Sequence, residues 1–424
     1  MTIEQLYQLF QQYPSVETDT RKLQPGDIFF ALSGPNFNGN QFAAQALEAG
    51  ASYAIVDENI DDQNGQIIVV EDVLSTLQEL AKYHRQQFNI PIVAITGSNG
   101  KTTTKELVNA VLDSHLTCYT TQGNLNNHIG IPLTLLRIKK DAEIAVIEMG
   151  ANHQGEIAGY CKYVQPTHGI ITNCGKAHLE GFGGIEGVRK GKGELFEYLR
   201  HHDGKAFIFN DYDYLHDMAK GISQFSYGTD DADVVGNANS RGSFLTVLMK
   251  SPINQEINSH LVGDYNLPNV LCAVAVGLHF KVPEQKIKQA IEAYEPGNSR
   301  SQMVLKDTNY IILDAYNANP SSMILAIENL AKIEAKNKII LLGAMMELGT
   351  ESLQEHQNII DALQKYNWQQ VVLVGGDFAN IKHPYLYFDN ALQAASWYRK
   401  QGFTNTYQLI KGSRSMQMEK VLEA

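Results

Sequence analysis

Ile92-Val-Ala-Ile-Thr-Gly-Ser-Asn-Gly-Lys101-Thr-Thr-Thr-Lys-Glu106 decides the fold. An apolar run stops at Thr96, a turn bracketed by Gly97 and Gly100 follows, and a helix is expected from Thr102 to about Leu112. Glycine bares the backbone N–H groups of such a turn and the helix N-terminus adds positive potential. Lys101 brings an ammonium, and Thr102 a hydroxyl suited to Mg²⁺. These are the parts of a phosphate cradle. The usual pattern has a further glycine five residues before Gly100, but Ile95 stands there, leaving a shortened Gly-x-x-Gly-Lys-Thr loop. The competing reading is an ordinary strand-to-helix turn with a chance lysine.

Outward from this stretch, 424 residues are long for one core, and roughly two to four domains are expected. A net charge of −12 argues against nucleic acid or an anionic membrane as partner, since both call for a dense basic face. Small anionic ligands stay open, because a few cations aimed into a cleft suffice. No apolar run approaches the ~20 residues of a membrane span, so no stable membrane association is expected. Met1-Thr-Ile-Glu-Gln5 shows neither a basic nor a long apolar stretch, so no signal peptide is expected. Cys118, Cys161, Cys174 and Cys272 are too scattered for a disulfide framework or a Cys-x-x-Cys metal site. The expectation is a reducing cytoplasm.

Residues 1–85 read as a small α/β unit, with helices at Ile3–Gln11, Asn40–Ala49 and Leu74–Gln87 and strands at 27–32, 53–56 and 67–70. The central unit, 86–296, opens with the phosphate loop. Its strand Ile144–Ile147 delivers Glu148 to a carboxyl end, where ligands of parallel sheets sit and where a carboxylate suits Mg²⁺. A further strand, Gly169–Thr172, leads into a glycine-rich loop holding His178, a residue that in a loop is often merely solvated. Glu186–Arg200 reads as a helix whose charges, Lys192 among them, suit a solvated face equally well. Asn266 and Asn269 precede a helix at Val270–Phe280, where cap and turn chemistry would also explain them. Another helix is expected at Pro283–Tyr294, then a hinge over Glu295–Arg300. The last unit, 297–424, alternates strands at 310–314, 338–342, 371–374 and 406–410 with helices at 321–335, 352–366, 391–400 and 416–422. That alternation implies a parallel, doubly wound, Rossmann-like sheet with Asp314, Gly343 and Lys411 along one edge. The residues alone support a three-domain α/β enzyme that uses ATP for transfer or ligation in an interdomain cleft. No Asn-Lys-x-Asp base-reading motif points to a GTPase switch.

Several segments, taken in order, resemble the Mur ligases, which build the peptide of bacterial cell-wall precursors. They include Asp19-Thr-Arg-Lys-Leu23, the shortened loop itself, Gly123-Asn-Leu-Asn-Asn-His128 and Val146-Ile-Glu-Met-Gly-Ala-Asn-His153. Ala177-His-Leu-Glu-Gly-Phe-Gly183, Asp314-Ala-Tyr-Asn-Ala-Asn-Pro320 and Lys411-Gly-Ser-Arg-Ser415 complete them. Gly150-Ala-Asn-His153 and Tyr316-Asn-Ala-Asn-Pro320 favour the member that joins D-alanyl-D-alanine to UDP-N-acetylmuramoyl-tripeptide through an acyl phosphate. The alternatives are a sibling adding the third peptide residue, a folylpolyglutamate-type ligase, and a nucleotide-sensing protein without turnover.

The resemblance implies roles. Lys101 and the backbone of Gly97, Ser98, Asn99, Gly100, Thr102 and Thr103 would hold the ATP phosphates. Thr102 and Glu148 would bind one Mg²⁺, with His178 and a carbamylated Lys192 at a second. Asn266 and Asn269 would meet adenine, Arg300 the phosphates and Asp314 the ribose. Thr20 and Arg21 would meet the UDP end, Asn124, Asn126 and Asn127 the muramyl-peptide, and Tyr316, Asn317 and Asn319 the substrates at the C-terminal unit. A monomer is expected. Departures from the family pattern are Gly191 before Lys192, Tyr265 for a histidine, Ala344 for an acid, and Asn298-Ser299 before Arg300.

Overall fold

The computed structural model describes every residue except Asp62, Gln63, Arg241, Asn298 and Ala424. The part of the expected hinge that falls on Asn298 therefore lies outside the described residues. Three main sheets follow one another along the chain. The first has four parallel strands, ordered Val16–Glu17, Ile28–Phe30, Tyr53–Val56 and Ile67–Val69. The second has nine, ordered Glu256–Val262, Phe244–Ser251, Val234–Ala238, Ser223–Gly228, Lys205–Phe209, His168–Ile171, Ile92–Thr96, Ile144–Glu148 and Cys118–Thr120. Its first three strands pair antiparallel and the rest parallel. The third has six, ordered Gln302–Lys306, Asn309–Asp314, Tyr407–Lys411, Lys338–Gly343, Gln370–Val374 and Leu386–Phe388, all parallel except the first pair.

The central strand order explains the site. From Ile92–Thr96 the chain passes first to Cys118–Thr120 and Ile144–Glu148 on one side, then to His168–Ile171 on the other. That reversal opens a crevice at the carboxyl end of Ile92–Thr96, where ligands of open α/β sheets bind. The strand is buried on both faces, as a central parallel strand must be. Ile95 lies within it, fully buried and paired with Ile170 and Glu148. The strand thus runs two residues further than a longer phosphate loop would allow, which accounts for the missing glycine. Ile95→Ala is expected to lower unfolding free energy by ~2–4 kcal/mol, read as a lower urea midpoint. A loss under about 1 kcal/mol would contradict this packing.

Several elements differ from expectation. The helix expected at Asn40–Ala49 begins as a 3-10 turn, Gly39–Phe42, because the Asn38 side chain accepts from Asn40 N and tightens the first turn. The helix expected at 321–335 is Pro320–Lys332 and ends where Ile333 turns extended. The helix expected at 416–422 divides into a 3-10 turn, Arg414–Met416, and a short helix, Lys420–Glu423, because Gln417 takes a left-handed conformation. The five strands between residues 205 and 262 were not legible as a set. In Phe244–Ser251 and Glu256–Val262 buried and exposed residues largely alternate, so neither forms the apolar run that marks the central strands.

Candidate active site

The phosphate loop is strapped to the loop that follows the neighbouring strand. Thr172 Oγ1 donates to the Asn99 carbonyl at 2.6 Å, Asn173 Nδ2 donates to the same oxygen at 3.1 Å, and Asn99 N donates to Asn173 Oδ1 at 3.0 Å. Gly97 (φ 144°) and Gly100 (φ 78°) both lie in the left-handed half of backbone space. A Cβ at Gly97 would strike Thr172 Oγ1, and one at Gly100 would press on Asn269 Oδ1. The two glycines are therefore required by the packing that shapes the cradle. Lys101 Nζ arches back over it and donates to the carbonyls of Gly97 (2.8 Å) and Ser98 (3.2 Å).

Thr102 opens the following helix, Lys101–Asp113, and its Oγ1 donates to Glu148 Oε2 at 2.8 Å. Asn126 Nδ2 donates to the other carboxylate oxygen at 2.7 Å. Thr102 and Glu148 are both buried. Two oxygens at that separation match adjacent ligands of an octahedral Mg²⁺, about 2.8–3.0 Å apart for bonds of about 2.0–2.1 Å, and an alcohol plus a carboxylate is the hard-oxygen donor set Mg²⁺ takes. The residues fit the ion.

Lys192, in the helix Ile185–His201, is not on a solvated face: it is 1% exposed, and Nζ donates to the Ala151 carbonyl at 3.0 Å and sits 4.9 Å from the Phe182 ring centre. Burial, followed by the nearby Lys101 charge, lowers its pKa to about 7. Gly191 explains itself in the same helix, for a Cβ there would strike the Phe182 ring. His178 holds a left-handed backbone (φ 52°), and its Nδ1 lies 2.5 Å from Glu347 Oε2.

A second cluster faces this one across the crevice. Asn266 Nδ2 donates to Val262 O, Asn269 Nδ2 to Asn266 Oδ1, and Thr104 Oγ1 to Asn269 Oδ1, each within 3.0 Å. Tyr265 OH lies 3.0 Å from Ser301 Oγ, and burial raises its pKa. The Arg300 guanidinium lies 3.6 Å from the centre of the Tyr316 ring. Asp314 Oδ2 accepts from Lys411 Nζ at 2.6 Å, while Oδ1 accepts from Ser301 N at 3.3 Å. Asn319 Nδ2 reaches across to Asn99 Oδ1 at 2.7 Å, so the C-terminal unit touches the phosphate loop directly.

One cleft of about 840 Å³ gathers most of the expected residues: Ser98 to Thr103, Asn126, Asn127, Glu148, His178, Asn266, Asn269, Arg300, Asp314, Tyr316, Asn317 and Asn319 all line it. Gly97 lies beneath the loop. Lys192 lies behind the wall, reaching Ala151, which lines the cleft. Thr20, Arg21 and Asn124 are not among the lining residues; Arg21 is 85% exposed and paired with Asp19 at 2.7 Å. Sequence reasoning missed Thr172, Asn173, Ser321 and Glu347, whose partners are remote in the chain. Lys411 was legible at a strand end, but its pairing with Asp314 was not. Ala344 is fully buried and lines no part of the cleft, its N–H donating to Val374 O.

A parallel sheet with a phosphate loop at its switch point, facing a second nucleotide-binding-like sheet across a polar cleft, defines a nucleotide-dependent ligase. Residues 12–93 match the Mur ligase family catalytic domain, residues 95–277 the Mur ligase middle domain, and residues 299–413 the Mur ligase glutamate ligase domain. The chain belongs to the Mur ligase family and is an ATP-dependent ligase that forms amide bonds. It is 35% identical to the UDP-N-acetylmuramoyl-tripeptide–D-alanyl-D-alanine ligase of Haemophilus influenzae over 97% of this chain and 93% of that relative. The crystal structure of MurF from Acinetobacter baumannii is 31% identical and superposes with a TM-score of 0.90 over 100% of this chain and 98% of that one. MurF from Thermotoga maritima, solved in complex with ADP, is 27% identical with a TM-score of 0.86, covering 97% of each chain.

Proposed function

We propose that this protein joins D-alanyl-D-alanine to UDP-N-acetylmuramoyl-tripeptide with ATP, in the synthesis of the peptidoglycan precursor. The similarity to D-alanyl-D-alanine-adding relatives over nearly the full length of both chains carries this reading. The chemistry suits the cleft. A carboxylate resists attack by an amine, so the γ-phosphoryl group is first transferred to the terminal carboxylate of the tripeptide, releasing ADP. The dipeptide amine then attacks the acyl phosphate carbon, and collapse of the tetrahedral intermediate expels phosphate and leaves the amide. The enzyme's task in both steps is to align charged reactants and offset their repulsion.

Lys101 and the backbone of residues 97–103 bind the phosphates, and Arg300 approaches them from the C-terminal unit. Asn266 and Asn269 meet the base, and Asp314 accepts from the ribose hydroxyls. Thr102 and Glu148 would hold one Mg²⁺, with His178 and Lys192 at a second, and the ion would there supply positive charge to offset that of the phosphate oxygens. Lys192 serves as its carbamate: the neutral amine adds CO₂ and loses a proton, which turns a buried cation into a buried anion. The lowered pKa supports this, since only the free amine is a nucleophile. Asn124, Asn126 and Asn127 line the path of the muramyl-peptide, Thr20 and Arg21 meet the UDP end, and Tyr316, Asn317 and Asn319 meet the substrates at the C-terminal unit.

The three sheets support a division into an N-terminal muramyl-peptide unit (1–85), a central ATP unit (86–296) and a C-terminal unit (297–424). Among the described residues no helix is long and apolar enough to cross a membrane, and all four cysteines are free thiols. The free thiols suit a reducing bacterial cytoplasm, and the enzyme is proposed to act there as a monomer. The test is phosphate release from ATP. It is expected only when the UDP-muramyl-tripeptide and D-alanyl-D-alanine are both present; turnover with a single amino acid in place of the dipeptide would overturn the reading.

A further inference from the structure

Lys105 lies in the helix that follows the phosphate loop, Lys101–Asp113, and is 1% exposed. Its Nζ donates to Glu106 Oε1 at 2.5 Å and to the Thr121 carbonyl at 2.7 Å. Taking an ammonium out of water is costly, and an apolar side chain would fill the same space without that cost. The Glu106 contact joins neighbours on one helix and fixes nothing beyond it. The Thr121 contact ties the helix to another segment, and that segment needs a tie. Strand Cys118–Thr120 has three residues, lies at the edge of the nine-stranded sheet and pairs only with Ile144–Glu148. Thr121 follows it and opens the loop that carries Asn126 and Asn127 to the cleft.

From Thr121 the connection reaches the site in two bonds. Glu148 N donates to Thr121 Oγ1 at 3.0 Å, and Asn126 Nδ2 donates to Glu148 Oε1 at 2.7 Å. Gly150 N donates to the Asn126 carbonyl at 2.8 Å, so the loop closes against the segment after Glu148. Lys105 itself is not among the residues that line the cleft. We propose that Lys105 is a positioning residue for the muramyl-peptide: through the Thr121 carbonyl it holds the loop of residues 121–127, and with it Asn126, in place at the cleft. The inference rests on the reading that Asn126 and Asn127 line the path of that substrate. The nucleotide side does not share this support. Thr172 and Asn173 strap the phosphate loop, and Glu148 ends a strand paired with Ile92–Thr96. Loss of Lys105 therefore acts on the peptide substrate and spares ATP.

The test compares Lys105→Met, Thr121→Val and Glu106→Gln with the wild type, all as full chains. Lys105→Met is expected to raise KM for the UDP-muramyl-tripeptide about tenfold, with KM for ATP within about twofold and kcat within about threefold. Thr121→Val keeps the side-chain shape and cuts the next link, the bond to Glu148 N. It is expected to raise the same KM about threefold or more, and it carries the test should Lys105→Met not fold. Glu106→Gln removes the ion pair within the helix, and its constants are expected to stay within about twofold of the wild type. Amide exchange of residues 121–127 in the unliganded chain is expected to quicken about tenfold in Lys105→Met, with residues 97–103 unchanged. Parallel rises in KM for both substrates, or an unchanged tripeptide KM in Lys105→Met or Thr121→Val, would overturn the proposal. Equal impairment of Glu106→Gln would also overturn it, by assigning the effect to the ion pair, as would unaltered exchange in residues 121–127. Failure of the wild type to use the two peptide substrates would strike the proposed reaction instead, and the exchange measurement would still decide whether Lys105 holds the loop.

Discussion

Lys192→Ala is expected to lose turnover by ~10³-fold or more while ATP binds within about threefold of its normal affinity. The asymmetry follows from geometry. Lys192 lies behind the cleft wall with Nζ on the Ala151 carbonyl, outside the lining of the phosphate loop, so removing it takes away no direct phosphate contact. On the proposed reading, what is lost is the buried anion that a Lys192 carbamate would supply. The pH dependence has a definite sign. Because burial and Lys101 lower the Lys192 pKa to about 7, the free amine grows as pH rises through about 7, and carbamate forms more readily above that point. Enzyme stripped of CO₂ is therefore expected to lose activity and regain it on adding bicarbonate, with faster recovery at pH 8 than at pH 6. Calorimetric titration with ATP and a phosphate-release assay measure the two halves. Near-normal turnover in Lys192→Ala would remove the residue from the mechanism.

Lys101→Ala is expected to lower kcat/KM by ~10³-fold and, unlike Lys192→Ala, to weaken nucleotide binding about tenfold or more. Its ammonium lies over the cradle on the carbonyls of Gly97 and Ser98, where phosphate oxygens outcompete neutral acceptors for a charged donor. The substitution has a second consequence. The Lys101 charge is one of the causes that depress the Lys192 pKa, so its removal raises that pKa and reduces the free amine available to CO₂. The two lysines thus act as a unit, and the double variant is expected to be little worse than the poorer single one. Additive losses in a double-mutant cycle of kcat/KM would show them independent. Nucleotide affinity unchanged in Lys101→Ala would remove the lysine from phosphate binding.

The central strands and the phosphate loop were legible because each is a contiguous signal. Ile92–Thr96 and Ile144–Glu148 are buried on both faces, so they read as unbroken apolar runs, and the glycines and lysine of the loop stand within five residues of one another. Glu148 was readable for the same reason: a polar residue that ends a buried strand marks the sheet edge that faces ligand. The alternating strands at 244–262 were not, since half their residues meet solvent. Lys192 and His178 were legible only through the resemblance to a family. By local pattern one was a helix lysine and the other a loop histidine. Burial of the first and the Glu347 contact of the second depend on segments the chain brings in from elsewhere.

By itself, the sequence determined the α/β class, the shortened phosphate loop, a carboxylate at the end of a buried strand and the alternation of the C-terminal unit. Each is written in side-chain periodicity or in a few adjacent residues, and local chemistry suffices to specify it. The tertiary structure alone decided that Lys192 is buried beside Lys101, that Ala344 packs away from the cleft, that Asn319 touches Asn99, and that Glu347 grips His178. The last two contacts join residues from separate sheets, and the first two bring together segments remote in the chain within one unit. Their energies depend on distance, burial and orientation after docking, and no spacing along the chain encodes them.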